Sequence, residues 1–457
     1  MMDLLTAAGA VGGRMRGTNV TFLRVVTDSR ALQPGDLFVA LAGERFDGHD
    51  FVAEAFARGA VAAMVTEARA EALSGNLVVV ADPLVALGRL AAWWRQRFAL
   101  PLIAVVGSNG KTTVKEMIAT ILRAHFGDAA VLATAGNLNN AIGLPLTLLR
   151  LGSAHRAAVV EIGMNHPGET AMLAAIARPT VAVVNNAQRE HQEFMGSIGE
   201  VAHEHAALVR ALGEGGTAVL NADDAYVDVW REAARAAGAT AIEFALEHPA
   251  VVRDRSLQTA HGGVVELSTP AGDATVHLVA PGRHNVANAL AAATATLAIG
   301  VPLQDVVRGL EAFRPVPGRL AERVVASGAT VIDDTYNANP DSVRAAIAVL
   351  AARPAPRWLV LGDMGEVGKD GPAFHREAGR VARAAGIDAL YTTGLLAAEA
   401  AAAFGAGALH FATTEELARH LTARAGAGTT VLVKGSRFMR MERVVAALAA
   451  AAHEEAH

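Results

Sequence analysis

The chain has 457 residues, of which 52% are hydrophobic, a formal net charge of −5 at pH 7 and no cysteine. Without a basic excess, nucleic acid is not expected as a partner. Without cysteine, disulfides, thiolate catalysis and thiolate metal sites are excluded.

The N-terminus lacks the sustained apolar core of a signal peptide. No apolar run approaches the roughly 20 residues that a transmembrane helix needs. We therefore expect a cytoplasmic protein without stable membrane insertion.

Two proline-marked segments, at residues 99–101 and 314–318, divide the chain. Because proline disfavours helix in the residue before it, we predict that both are linkers. The length also favours roughly three domains, at about 150 residues each. The predicted domains are therefore 1–98, 99–314 and 315–457.

Short apolar runs alternate with helical stretches along all three domains. In the second and third domains the runs end on polar or glycine residues, which is typical of parallel strands buried on both faces. The predicted strands are 37–41, 77–80, 102–106, 157–160, 181–184, 217–220, 330–332, 358–361, 389–392 and 430–433. The predicted fold class is α/β throughout, with ligands beyond the carboxyl ends of the strands.

The segment after the strand at 102–106 is a candidate phosphate-binding loop. Its glycines let backbone N–H groups turn toward a phosphate, and the helix that follows adds the positive end of its dipole. Lys111 can reach the β- and γ-phosphates of ATP, and the Thr112 hydroxyl can bind Mg²⁺. Val105 occupies the place of an earlier glycine in the usual motif, so this loop is a shorter variant. The alternative is a chance Gly-Lys-Thr turn, which the strand–loop–helix context disfavours. The loop consists of Gly107, Ser108, Asn109, Gly110, Lys111, Thr112 and Thr113.

Two further polar residues follow the strands at 157–160 and 181–184. Glu161 comes directly after the first, where a carboxylate can bind Mg²⁺ near the γ-phosphate. His191 follows the second. The alternatives are a helix cap or a solvated side chain for Glu161, and a structural role for His191.

Further motifs, in their joint order and spacing, resemble those of the Mur ligase family along nearly the whole chain. The resemblance implies a small N-terminal α/β domain that binds UDP, a central doubly wound and mostly parallel sheet with a P-loop-like ATP site, and a C-terminal Rossmann-like α/β domain. The motifs lie at 107–113, 136–145, 161–163, 186–191, 221–224, 282–289, 317–319, 333–340 and 434–437.

The resemblance also implies a reaction. ATP phosphorylates a peptide carboxylate, and an amine attacks the resulting acyl phosphate, with Mg²⁺ as cofactor. Residues 336–342 are similar to members that add D-alanyl-D-alanine to UDP-N-acetylmuramoyl-tripeptide (UDP-MurNAc-tripeptide), and the Asp-Asn-Pro-Arg motif of diaminopimelate-adding members is absent. These two small molecules are the expected substrates, and a monomer is the expected state.

The resemblance assigns roles residue by residue. The implied catalytic residues are Lys111, Glu161, His191, Asp334 and Asn337. The implied ATP contacts are residues 107–113, Asn285, Asn288 and Arg319, and the implied Mg²⁺ ligands are Thr112, Glu161 and His191. The implied substrate contacts are Ser29, Arg30, Asn137, Asn139, Asn140, Asn339 and Arg437. The alternatives are a packing amide at Asn288 and an ordinary linker cation at Arg319.

The chain departs from the family at His205. Many members carry a lysine at this position, and its carbamate bridges to metal. With no lysine nearby, a carbamate is not available here. The resemblance implies a second Mg²⁺ at His191, which His205 or Glu204 could bind or orient, or water could fill that role. Alternatively, His203 and His205 could both lie on a helix surface. Because imidazole is a poor ligand for Mg²⁺, we expect indirect contact.

Rival interpretations are a ligase that adds a diamino acid to UDP-MurNAc-dipeptide, a folylpolyglutamate synthase, a non-catalytic ATP-binding module and a motor or switch NTPase. Folate enzymes lack the UDP-type domain, and the retained Lys111, Thr112, Glu161 and His191 disfavour a decayed site. Switch NTPases usually bind Mg²⁺ through an aspartate. We expect the third domain to close onto the second when ligands bind, because closure keeps water from the acyl phosphate.

Overall fold

A computed structural model describes residues 1–44, 46–190, 192–256 and 263–450. The predicted metal ligand His191 lies outside the described residues. No helix in these ranges is long and apolar enough to cross a bilayer.

The N-terminal unit is built on a five-stranded sheet in the order β2-β7-β6-β5-β4, in which only β2 runs antiparallel to its neighbour, and β1 pairs with β3. The strand predicted at 37–41 spans 36–39 instead, because the Leu41 carbonyl turns away to accept from Gly48 N–H at 2.8 Å. The strands are β1 (Met2–Asp3), β2 (Arg14–Arg16), β3 (Thr21–Phe22), β4 (Arg24–Val26), β5 (Asp36–Val39), β6 (Ala62–Thr66) and β7 (Leu77–Val80). The helices are α1 (Leu4–Val11), α2 (Val52–Ala57), α3 (Glu67–Ala70) and α4 (Pro83–Arg95).

The central unit is built on a nine-stranded sheet in the order β16-β15-β14-β13-β12-β11-β8-β10-β9. Strands β8 to β14 pair in parallel, and β15 and β16 add an antiparallel edge. The strands are β8 (Leu102–Val106), β9 (Val131–Ala133), β10 (Ala157–Glu161), β11 (Val181–Val184), β12 (Thr217–Asn221), β13 (Thr240–Ala245), β14 (Val252–Asp254), β15 (Val264–Thr269) and β16 (Gly272–His277). The helices are α5 (Lys111–Phe126), α6 (Gly143–Leu148), α7 (Glu169–Ala177), α8 (Ile198–Arg210), α9 (Val227–Ala237), α10 (Arg283–Leu297) and α11 (Leu303–Ala312).

Both faces of the central sheet are buried around β8. On β8, Leu102, Ala104 and Val106 enter one apolar core, with Leu173 of α7 and Trp230 of α9. The alternate residues of β8 enter a second core on the other face, with apolar side chains of α5 and α10. Because successive strand residues point to opposite faces, burial of both faces requires an uninterrupted apolar strand.

The C-terminal unit is built on a six-stranded sheet in the order β17-β18-β22-β19-β20-β21, in which only the edge strand β17 is antiparallel. The α/β class of all three units is thereby confirmed. The strands are β17 (Ala321–Val324), β18 (Thr330–Asp334), β19 (Arg357–Leu361), β20 (Ala389–Thr393), β21 (Ala408–Phe411) and β22 (Thr430–Lys434). The helices are α12 (Pro340–Ala351), α13 (Gly371–Ala384), α14 (Ala397–Phe404), α15 (Thr414–Thr422) and α16 (Glu442–Ala450).

The N-terminal and central units share one apolar core. Leu87 and Leu90 of α4 belong to the same buried cluster as Leu144 and Leu148 of α6. The C-terminal unit has apolar clusters of its own. A shared core resists relative motion, so the first two units are expected to move together.

Candidate active site

Polar side chains occupy the last positions of three largely apolar strands. Glu161 ends β10, Asp334 ends β18 and Lys434 ends β22. Beyond these strand ends lies a cleft of about 870 Å³, lined by the phosphate loop and by residues of the C-terminal unit. The predicted position of the ligand site, at the carboxyl ends of the strands, agrees with this cleft.

The phosphate loop needs glycine at Gly110. This residue has φ of +82°, and a Cβ there would lie 2.4 Å from Asn288 Oδ1 and 2.6 Å from Asn185 Nδ2. Helix α5 begins at the next residue, Lys111. The loop therefore turns tightly over a bed of amides and leads directly into a helix N-terminus, the arrangement that binds phosphate.

The amide bed consists of buried asparagines. Asn185 Nδ2 donates to Asn109 O and to Asn288 Oδ1, both at 2.9 Å. Asn288 Nδ2 donates in turn to Asn285 Oδ1 at 3.0 Å. Asn285 and Asn288 also line the cleft. Asn288 therefore has the packing role considered above and at the same time forms part of the cleft wall.

The two described residues predicted to bind Mg²⁺ are in contact. Thr112 Oγ1 donates to Glu161 Oε2 at 2.7 Å, and Asn139 Nδ2 donates to Glu161 Oε1 at 2.8 Å. A hydroxyl and a carboxylate are hard oxygen donors that suit Mg²⁺, which usually takes its remaining ligands from phosphates and water. Within the described ranges no group of three or more His, Cys, Asp or Glu side chains could hold a metal by itself.

Glu190 is a buried acid in the cleft that the sequence interpretation missed. Its Oε2 lies 3.2 Å from Lys111 Nζ, and its Oε1 lies 3.3 Å from His205 Nε2. A signal was present, because Glu190 belongs to the motif at 186–191, which follows β11.

The histidines and Glu204 on α8 have separate surroundings. His205 is buried, so the interpretation as a surface histidine is wrong for this residue, whereas His203 is exposed. Glu204 accepts from Gly168 N–H and Thr170 N–H, at 2.9 and 2.8 Å, where α7 begins. Its carboxylate therefore caps a helix.

A second charged pair lies on the C-terminal side of the cleft. Lys434 Nζ donates to Asp334 Oδ2 at 2.6 Å and to Asn337 O at 2.9 Å. Burial raises the pKa of Asp334, and the charge of Lys434 opposes that rise. Burial, and to a smaller extent Lys434, lowers the pKa of His284 to about 4, so this imidazole is neutral at pH 7.

Arg319 projects into the cleft from the start of the C-terminal unit. Its guanidinium carbon lies 4.1 Å from the centre of the Tyr336 ring. Its Nε is buried and has no hydrogen-bond partner in the described part of the chain. A donor in this position is suited to a phosphate oxygen.

The predicted substrate-binding asparagines reach the cleft in different ways. Asn137 is exposed in the cleft wall, and Asn139 contacts Glu161. Asn140 Oδ1 accepts from Gly143 N–H, at the start of α6, at 2.9 Å. Asn339 caps α12, and its Nδ2 also donates to Asn109 Oδ1 at 3.0 Å.

Four of the described predicted residues do not line the cleft: Ser29, Arg30, Gly107 and Arg437. Arg30 pairs with Asp28 at 2.8 Å, and its side-chain hydrogen bonds lower the pKa of Asp28 to about 2. Arg437 is exposed and lies 3.4 Å from Glu442 Oε1.

Comparison with known proteins agrees with this architecture. Profiles of the Mur ligase family match three successive segments: its catalytic domain at 21–94, the Mur ligase middle domain at 105–296 and the glutamate ligase domain at 318–437. The UDP-N-acetylmuramoyl-tripeptide–D-alanyl-D-alanine ligase of Escherichia coli (strain K12) is 42% identical over 450 residues, which cover 96% of each chain.

Solved structures show the same relationship. A crystal structure of MurF from Acinetobacter baumannii superimposes with a TM-score of 0.89 at 35% identity, over 97% of each chain. MurF from Thermotoga maritima in complex with ADP superimposes with a TM-score of 0.83 at 28% identity, over 95% of this chain and 98% of that one. With this similarity over its length and a phosphate loop facing a third α/β unit, the chain belongs to the Mur ligase family.

Proposed function

We propose that this protein is an ATP-dependent ligase that adds D-alanyl-D-alanine to UDP-MurNAc-tripeptide, giving the UDP-MurNAc-pentapeptide of peptidoglycan synthesis. The observation that carries the proposal is the single cleft in which the phosphate loop faces the Asp334–Lys434 pair. The 42% identity to the E. coli enzyme of that activity, over 96% of both chains, supports the choice of substrates.

The proposed chemistry matches the charges in the cleft. A carboxylate is a poor acyl donor until phosphorylation gives it a leaving group, and phosphorylation brings two anions together. In this proposal Lys111, the N–H groups of the phosphate loop and Arg319 lower that repulsion and hold both groups in line.

We propose that Thr112 and Glu161 hold Mg²⁺, with His191 contributing to a second site as the family resemblance implies. When bound, the ion would neutralise charge on the phosphoryl group. Burial and the short contact between Thr112 and Glu161 favour this assignment, because both side chains are already turned toward each other.

On the acceptor side, we propose that Asp334, Asn337 and Asn339 orient the dipeptide amine and the acyl phosphate. Lys434, bound to Asp334, adds a cation on the same side. The proposed contact of Arg437 with the dipeptide carboxylate requires its side chain to leave Glu442. Ser29 and Arg30 stay as proposed UDP contacts on the N-terminal unit.

The domain boundaries near residues 98 and 314 are part of the proposal, because the proline-marked segments there fall between successive sheets. A cytoplasmic location and a monomeric state are also proposed. Gel filtration with light scattering tests the oligomeric state.

The deciding experiment measures phosphate release from ATP by the purified protein with UDP-MurNAc-tripeptide. D-alanyl-D-alanine is compared with single amino acids and with glutamate. Release that requires both the tripeptide and D-alanyl-D-alanine is expected. Release that requires UDP-MurNAc-dipeptide and a diamino acid would instead identify a ligase that adds the diamino acid. No release with any acceptor would favour a non-catalytic module.

A further inference from the structure

Residues 188–190 lie directly against the phosphate loop. Gln188 Oε1 accepts from Asn109 Nδ2 at 2.6 Å, and Gln188 N–H donates to Ser108 Oγ at 2.8 Å. Two residues further, Glu190 lies 3.2 Å from Lys111 Nζ. The segment thus contacts the loop at both of its ends.

The middle residue of the segment, Arg189, faces the other way. Its Nη2 donates to Asp341 Oδ1 at 2.6 Å, and its backbone N–H donates to Asp341 Oδ2 at 2.9 Å. Its Nη1 donates to Glu377 Oε2 at 2.8 Å, and its guanidinium carbon lies 5.3 Å from the Phe374 ring centre. Asp341, Phe374 and Glu377 belong to α12 and α13 of the C-terminal unit.

These contacts are stronger than ordinary surface ion pairs. The side chains of Arg189, Asp341 and Glu377 are only 18, 22 and 27% exposed. Hydrogen bonds with Asp341 and Glu377 raise the pKa of Arg189, so it stays charged. A forked guanidinium held by two carboxylates has a defined geometry, whereas an exposed pair contributes little.

We propose that Arg189 is a positioning residue that couples docking of the C-terminal unit to the geometry of the phosphate loop. While Arg189 is bound to Asp341 and Glu377, its neighbours Gln188 and Glu190 are held against Asn109 and Lys111. This inference rests on the proposed function, because it concerns the same phosphoryl transfer.

The coupling has a kinetic consequence. When the C-terminal unit leaves, the segment loses its outer anchor and Lys111 loses a fixed counter-ion, but the loop itself stays intact. ATP is therefore expected to bind with little change in affinity, whereas phosphoryl transfer slows because its groups are no longer held in line.

The test compares Arg189→Gln with a matched control. Arg231 also bridges two carboxylates, those of Glu243 and Asp228, but both belong to the central unit. Arg231→Gln therefore removes a similar ion pair without touching the interface. Because the native chain has no cysteine, Ala175→Cys and Ala402→Cys, both at exposed positions, can carry spin labels on the two units.

With a non-hydrolysable ATP analogue and UDP-MurNAc-tripeptide bound, the unsubstituted protein and Arg231→Gln are expected to show one narrow distance distribution. Arg189→Gln is expected to broaden it and to lower kcat by about tenfold or more, with KM for ATP changed less than about threefold. Arg189→Lys, which keeps the charge but not the fork, is expected to fall between them.

A double-mutant cycle with Glu377→Gln identifies the contact. Because Glu377 is one of the two carboxylates that hold Arg189, its substitution is expected to add little to the loss of kcat once Arg189 is replaced. Additive losses, or an Arg189→Gln protein with the distances and kcat of the Arg231→Gln control, would overturn the coupling. Arg189-dependent distances in a protein with no ligase activity would instead support the coupling and overturn the proposed function.

Discussion

At the scale of single residues, the site depends on polar side chains that end buried strands. Glu161 is 3% exposed and yet has both oxygens engaged, one by Thr112 and one by Asn139. A buried carboxylate is costly unless it is paired or binds a cation. The position therefore suits a metal ligand better than a structural acid.

We predict that Glu161→Gln lowers kcat for phosphate release by at least about 10²-fold, because a neutral amide replaces the charge that would face Mg²⁺. Steady-state kinetics over a series of Mg²⁺ concentrations measures this effect. The control is Glu204→Gln, which alters a carboxylate of the same unit that caps α7. A Glu161→Gln protein with the kcat of the Glu204→Gln control would remove Glu161 from the metal site.

Because of His284, the free energy of unfolding is expected to depend on pH. Its pKa falls from 6.5 to about 4 on folding, so between these values the unfolded chain binds a proton that the folded protein does not. Stability is therefore lost as pH falls from 6.5 to 4, by at most on the order of 3 kcal/mol.

The measurement is the unfolding temperature at pH 7.5 and pH 5 for the unsubstituted protein and for His284→Gln. The decrease at pH 5 is expected to be smaller in the variant. His203→Gln, which alters an exposed histidine, serves as control and is expected to keep the full decrease. Equal decreases in all three proteins would contradict the assignment.

At the scale of elements, the sequence analysis placed the ends of several strands too early. Strands β10, β12 and β18 each run one or two residues past the predicted run and end on Glu161, Asn221 and Asp334. Hydrophobicity detects only the apolar part of a strand. The polar residue that completes each of these strands is the one that lines the cleft.

The antiparallel edge of the central sheet escaped prediction for a related reason. Strands β15 and β16 are buried on one face only, and apart from Val264 their exposed positions are polar or small. Such strands alternate and lack the continuous apolar run that marked the parallel strands.

The two capping residues of helix α12 are expected to differ in their effects on stability and on activity. Asn339 and Ser342 form its capping box, but Asn339 Nδ2 also reaches Asn109 of the phosphate loop. Ser342→Ala is expected to lower stability by about 1 kcal/mol and to leave kcat nearly unchanged. Asn339→Ala is expected to lower both.

Thermal unfolding and phosphate release of the two variants provide the comparison. If Asn339→Ala loses no more activity than Ser342→Ala, the contact between Asn339 and the phosphate loop has no part in the reaction.

At the scale of the whole molecule, the three units differ in how they are joined. The N-terminal and central units share an apolar core through α4 and α6. By contrast, Arg189 and Asn109 of the central unit make polar contacts with Asp341 and Asn339 of the C-terminal unit. Polar interfaces open at lower cost than apolar cores. The C-terminal unit is thus the expected moving part.

We predict that the protein becomes more compact when a non-hydrolysable ATP analogue and UDP-MurNAc-tripeptide bind together, because we propose that both ligands bind in the cleft between these units. Small-angle scattering measures the radius of gyration with each ligand alone and with both. The largest decrease is expected with both. An unchanged radius in all three states would contradict closure.

The order of residues was enough to predict the α/β class, the strand and helix on either side of the loop at 107–113, and the position of Glu161 at the end of an apolar strand. These features are local, since each depends on a short apolar run and the few residues that follow it. The family resemblance extended this to Asn288 and Arg319, both of which line the cleft.

Only the tertiary structure brought Arg189 to Asp341, which is 152 residues away in sequence, and Lys434 to Asp334, which is 100 residues away. It also buried His205 beside Glu190. No local sequence pattern encodes these contacts, because they depend on which strands become neighbours in a sheet and on how one unit docks against another.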